Sequence, residues 1–95
     1  MAKKTPKTAV TPLEAILGIT PERATELLGT LTEREHEVAA LMATGEKNKH
    51  IAAKLGISTK TLDIHRANLK WKLKTRGPVD VARVVYAKAV GELVG

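Results

Sequence analysis

Between residues 49 and 74 two helical patterns follow one another with only Gly56, Ile57 and Ser58 between them, and so short a break makes the two helices neighbours in space. The first, about 49–55, can be capped by Asn48. Its Ile51, Ala52 and Leu55 recur at three- and four-residue spacings, Ala52 permits close packing, and Gly56 is the stop. The second runs over roughly 59–74 with Ser58 as its cap. Leu62, His65/Arg66, Leu69 and Leu73 trace one face of it, while Lys60, Asp63, Ile64, Ala67, Asn68 and Trp71 fall largely on the other. One face packs and the other is free.

The same punctuation sets out the rest of the chain. Thr32 followed three residues later by Glu35 is a capping box, and Val38, Leu41 and Met42 continue it as a helix of about 33–43 that Gly45 closes. Upstream, Thr11-Pro12 and Thr20-Pro21 open two brief helices, 12–17 and 21–28, ended by Gly18 and Gly29, whose leucines can pad the main domain. Residues 1–11 carry a proline and few large apolar side chains and read as a flexible basic arm or linker. Downstream, Pro78 starts a last helix that ends near Gly91. Val81, Val84, Val85 and Ala89 lie on one side of it, and Val79, Ala82, Tyr86 and Val90 form a second apolar strip. The expected fold is all-α: a four-helix helix-turn-helix bundle over 31–95, preceded by a short helical extension at 12–30 and the arm.

Ninety-five residues suit a single domain, and with Trp71 and Tyr86 as the only aromatics its core has to be aliphatic. The absence of cysteine excludes disulfides and Cys-type zinc sites, and His36, His50 and His65 stand on separate elements. Neither a metal nor a cofactor is implied. An enzyme is not expected either: there is no cysteine nucleophile or glycine-rich phosphate loop, and Glu33, Glu35 and Glu37 sit at a helix start, where capping accounts for them. No stretch approaches the roughly 20 apolar residues of a membrane span, and the reading is a cytoplasmic protein without a membrane partner.

Charge supplies the functional signal. Residues 31–46 are net acidic, whereas 47–76 hold nine Lys or Arg (Lys47, Lys49, Lys54, Lys60, Arg66, Lys70, Lys72, Lys74 and Arg76) against Asp63 alone. That basic belt begins at the first helix of the close pair and runs through the second, and a helix-turn-helix sends its second helix into the DNA major groove.

The residues that carry this pattern resemble the LuxR/FixJ-type (GerE-like) DNA-binding domain of bacterial transcriptional regulators. The match reads Leu31-Thr32-x-Arg34-Glu35-x-Glu37-Val38, then Gly45-x-x-Asn48-Lys49-x-Ile51-Ala52-x-x-Leu55-Gly56-Ile57-Ser58-x-x-Thr61, then His65-Arg66-Ala67-Asn68-Leu69 and Lys72-Leu73. The resemblance implies a four-helix domain that binds promoter DNA, commonly as a dimer paired through its last helix. Many members carry it behind a receiver or ligand-sensing domain, so the chain is either a stand-alone member or a fragment. Lys74 stands where the family often has glycine, Trp71 where a small or polar residue is usual, His50 where glutamate is frequent, and Pro78 where proline is rare.

Long cations anchor phosphates without reading bases, and Lys49, Lys60, Arg66, Lys70 and Lys72 are the candidates, with Thr61 adding a hydroxyl and Lys54 and Lys74 peripheral. Base reading falls to Lys60, Asp63, Ile64 and Ala67, with Asn68 at the margin: lysine donates to guanine, aspartate accepts from cytosine N4, and Ile64 or Ala67 meets a thymine methyl. Asp63 either faces a base donor or pairs with Lys60 or Arg66. His65 reads as a packed or backbone-bonded scaffold residue, with a phosphate contact as the alternative. Trp71 either covers the last helix or lies near the DNA backbone. Val81, Val84, Val85 and Tyr86 are the candidate dimer contacts.

The implied partners are double-stranded promoter DNA, a second copy of the chain on DNA, and RNA polymerase. Two rivals remain open: region 4 of a sigma factor, which shares the Leu-Thr-x-Arg-Glu start, and a protein-interaction module that pairs through the last helix.

Overall fold

A computed structural model describes residues 18–94, the side chain of Val94 excepted, and their regular structure is entirely helical. The elements are α1 (Pro21–Leu28), α2 (Glu33–Ala43), α3 (Asn48–Leu55), α4 (Thr59–Leu73) and α5 (Pro78–Val94). The expected arm at 1–11 and helix at 12–17 lie outside the described residues. Among the described residues no helix is long and apolar enough to cross a membrane.

Helix ends follow local chemistry. Thr20 accepts from the Arg23 backbone N–H at 3.2 Å, with Pro21 at the first position of α1. Thr32 and Glu35 close a capping box at α2: the Glu35 N–H donates to Thr32 Oγ1 at 3.2 Å and the Thr32 N–H to Glu35 Oε1 at 2.9 Å. Ser58 Oγ accepts from the Thr61 N–H at 3.0 Å at the start of α4. Gly56 takes φ 69°, and the Ile57 N–H reaches back to the Ala52 carbonyl at 3.0 Å, which turns the chain within the three residues between α3 and α4.

One cap differs from expectation. Asn48 is the first residue of α3, where its side-chain oxygen accepts from the Arg66 guanidinium of α4, and Lys47, whose ammonium cannot accept a hydrogen bond, holds the cap position without a side-chain bond. At the other end of α4, Lys74 closes the helix at φ 57°, the left-handed region, where a side chain costs about 1–2 kcal/mol relative to glycine.

The core is aliphatic throughout. Val38, Ala39 and Met42 of α2, Ile51 and Ala52 of α3, Leu62, Leu69 and Leu73 of α4, and Val81, Val84 and Ala87 of α5 are buried together, and each fully buried leucine contributes about 2 kcal/mol. Ala24, Leu27 and Leu28 of α1 join the same cluster, so this helix is packed into the domain. Tyr86 ties α5 to the end of α2, its hydroxyl donating to the Ala43 carbonyl at 2.9 Å.

The last helix does not stop near Gly91. It continues to Val94, and Gly91 serves as a point of close approach: a Cβ there would stand 2.4 Å from Cβ of Pro21, the first residue of α1. Alanine at an ordinary interior helix position outranks glycine by about 1 kcal/mol. Gly91→Ala is expected to run the other way and destabilise by about 1–3 kcal/mol, since the Pro21 ring is rigid and α1 has to shift. A thermal melt checks the sign, and a raised midpoint would contradict this packing.

Candidate nucleic-acid interface

The sequence of α4 decides which of its sides is free. Leu62, Leu69 and Leu73 are buried, so residues about half a turn away point outward: Lys60, Ile64, Ala67 and Trp71 form a row, flanked by Asp63 and Asn68. All six are exposed, Ile64 at 57% and Trp71 at 81%. The row thus holds every candidate base reader. It mixes a cation, a carboxylate, an amide, a methyl and a branched alkyl group, a set that complements the varied donors, acceptors and methyls of a major-groove floor. Asp63 makes no ion pair among the described residues, whose pairs are Arg23–Glu26, Arg34–Glu37, His50–Glu46, Lys54–Glu46, Lys72–Glu35, Arg83–Asp80 and Lys88–Glu92. Neither Lys60 nor Arg66 neutralises it.

The cations sort into free and engaged groups. Lys49 and Lys60 are exposed and Lys70 half-buried, and none of the three has an ion-pair partner among the described residues. Thr61 is exposed with its Oγ1 accepting from the Ser58 hydroxyl at 3.0 Å, which leaves its own O–H available to donate. Lys54 is held 2.9 Å from Glu46, whose carboxyl is kept below its usual range chiefly by that hydrogen bond.

Two of the sequence candidates have partners inside the domain. Lys72 Nζ lies 2.7 Å from Oε1 of Glu35, the oxygen that also accepts the Thr32 N–H, and Glu35 is only 4% exposed. Burial by itself would raise the Glu35 carboxyl, but the hydrogen bonds from Lys72 and Thr32 and the Lys72 charge outweigh it and leave the group below its usual value. A carboxylate this buried cannot release its counter-charge cheaply, so Lys72 fastens α4 to the start of α2. Arg66 is half-buried and donates to Asn48, locking α4 against the first turn of α3. That bond links the two helices of the pair beside their shared core, and nothing in the spacing of positions 48 and 66 announces it.

His65 is half-buried, as a scaffold side chain would be, and Trp71 does not cover α5. On α5 the expected dimer set divides. Val81 and Val84 are buried within the chain's own core and present no surface to a partner, Val85 is half-buried against that core, and Ala89, placed with them from the sequence, is exposed. The exposed side carries Val79 and Tyr86 of the second apolar strip and, beyond that strip, Leu93.

The family model for bacterial regulatory proteins of the luxR family matches residues 29–85, which takes in α2, α3, α4 and the first half of α5. The chain belongs to the luxR family. Among its relatives, it is 43% identical over 72 residues to the transcriptional regulatory protein UhpA of Escherichia coli strain K12, covering 72% of this chain and 37% of UhpA. It is 39% identical over 64 residues to the transcriptional regulatory protein FixJ of Rhizobium meliloti strain 1021, covering 67% of this chain and 31% of FixJ. With the transcriptional regulatory protein MctR of Rhizobium johnstonii it shares 43% identity over 82 residues, 86% of this chain and 37% of MctR. The chain spans about a third of the length of these curated relatives. The luxR match begins at Gly29, just past the end of α1, although the side chains of α1 complete the core.

Proposed function

We propose that this luxR-family chain binds double-stranded promoter DNA in a sequence-dependent way and regulates transcription, with α4 seated in the major groove. The observation that carries the reading is the free face of α4. A varied polar and apolar row stands outward, flanked by cations that have no ion-pair partner among the described residues, while the opposite face is held by three buried leucines, the Arg66–Asn48 bond and the Lys72–Glu35 pair. Lys60, Asp63, Ile64, Ala67 and Asn68 read bases. Lys49, Lys60, Lys70 and the Thr61 hydroxyl hold phosphates, with Arg66 linking α4 to α3. Lys72 belongs to the scaffold.

A second copy pairs on DNA through the exposed strip of α5, Val79, Tyr86 and Leu93, since Val81 and Val84 are spent on the core. The strip is small for a stable free dimer, so the chain is monomeric off DNA.

Fluorescence anisotropy of a labelled duplex at two salt concentrations tests the reading. Binding is expected at low salt and to weaken steeply as salt rises, as phosphate neutralisation requires. Lys49→Ala should weaken every duplex alike, while Ile64→Ala should cost about 1–3 kcal/mol on the preferred sequence and little on others. The reverse pattern would overturn the division of labour. Core polymerase binding without duplex affinity would instead favour the sigma-factor module, and salt-insensitive capture of a protein through α5 the interaction module.

A further inference from the structure

Trp71 is the one large side chain on α4 that neither the core nor the base-reading set accounts for. It is 81% exposed, so the fold gains almost nothing from it, and an exposed indole is a standing cost in solubility. Its position is not arbitrary. Trp71 follows Lys60 by eleven residues, Ile64 by seven and Ala67 by four, which places it on the same outward line of the helix.

Resting on the DNA reading above, we infer that Trp71 is a further DNA contact, an indole that closes the gap between the last turn of α4 and the sugar–phosphate wall of the major groove. At 1.5 Å per residue the row runs about 16 Å from Lys60 to Trp71. The major groove is about 12 Å wide and winds around the duplex, so a straight helix seated by its first turns drifts from the floor before it reaches its end. A short side chain at position 71 stops short of the DNA. The indole is long and flat enough to lie on a deoxyribose, and its Nε1–H, a donor with no acceptor role, suits a phosphate oxygen. Lys70 precedes it and exposed Lys74 follows at the helix stop, so cations stand close to the wall it meets. Being neutral, Trp71 adds affinity without releasing counter-ions.

Because Trp71 is the sole tryptophan, its emission reports this contact alone. The probe is a duplex that the protein itself selects from random sequence, end-labelled for anisotropy in one arm and unlabelled for tryptophan emission in the other. Emission is expected to change in step with anisotropy, and acrylamide quenching of Trp71 to fall several-fold in the complex. Trp71→Ala should weaken binding about tenfold at every salt concentration, leaving the salt slope and the thermal midpoint unchanged, and Trp71→Phe should recover part of the loss. If anisotropy rises while Trp71 stays as accessible as in the free protein, or Trp71→Ala binds as tightly as the parent, the inference is overturned and the DNA reading stands. A surface for another protein would give that outcome. If no duplex is selected or bound, both fall.

Discussion

Replacing Glu35 by alanine is expected to lower the stability of the fold by about 3 kcal/mol and its thermal midpoint by about 15 °C. The effect is large because one oxygen serves two partners. Glu35 Oε1 accepts the Thr32 N–H at 2.9 Å and the Lys72 ammonium at 2.7 Å, so its removal strips the cap of α2 and leaves a half-buried cation unpaired. Domains of this kind are stable by about 5–15 kcal/mol in all. Glu35→Gln separates the two roles, keeping an acceptor for Thr32 while removing the charge that faces Lys72.

The pH dependence has a defined sign. The Glu35 carboxyl is held below its usual 4.5 in the fold, so its contribution is fully present above that value and is lost as pH falls through the lower folded one. The stability of Glu35→Ala should therefore fall less between neutral and acid pH than that of the parent. Lys72→Met should also destabilise, because it buries a carboxylate with no counter-charge. A Lys72→Met chain that melts like the parent but binds DNA less well would put this lysine on phosphate after all.

Lys60→Glu is expected to weaken duplex binding by about 100-fold, since it replaces a cation facing phosphate or guanine by an anion. The same change should leave the fold intact or slightly more stable. Lys60 is exposed in the first turn of α4, which holds no acidic residue, and an anion near a helix N-terminus is favourable by about 0.3–1 kcal/mol. Affinity and stability thus move in opposite directions, and a melt beside an anisotropy titration reads both. Loss of both together would mean that Lys60 supports the fold.

Much of the fold was legible because caps are local. Thr20-Pro21, Thr32 with Glu35, and Gly56 with Ser58 each settle a helix end within four residues, and the structure has those ends where these signals stand. The outward row of α4 was legible by its spacing. What escaped depends on residues far apart in sequence. Glu35 meets Lys72 across 37 positions, and Tyr86 reaches Ala43 across 43, with no periodic trace of either. Gly91 looked like a stop because glycine usually ends helices, and only the approach of Pro21 reveals why the helix has glycine in its interior. Asn48 has the composition of a cap, yet it is the first residue of its helix and its oxygen accepts from a guanidinium 18 residues on. Val81 and Val84 formed a plausible partner surface until α1, α2 and α4 claimed that side of α5.

Backbone amide shifts of the isotope-labelled chain, followed by NMR during titration with a duplex the protein has selected, test most directly where the nucleic acid sits. The amides of Lys49, of Lys60, Asp63, Ile64, Ala67 and Asn68 on α4, and of Thr61 are expected to move together, while those of α1 stay in place. Shifts confined to α5 around Val79, Tyr86 and Leu93, with the α4 row unchanged, would contradict the placement of DNA on α4.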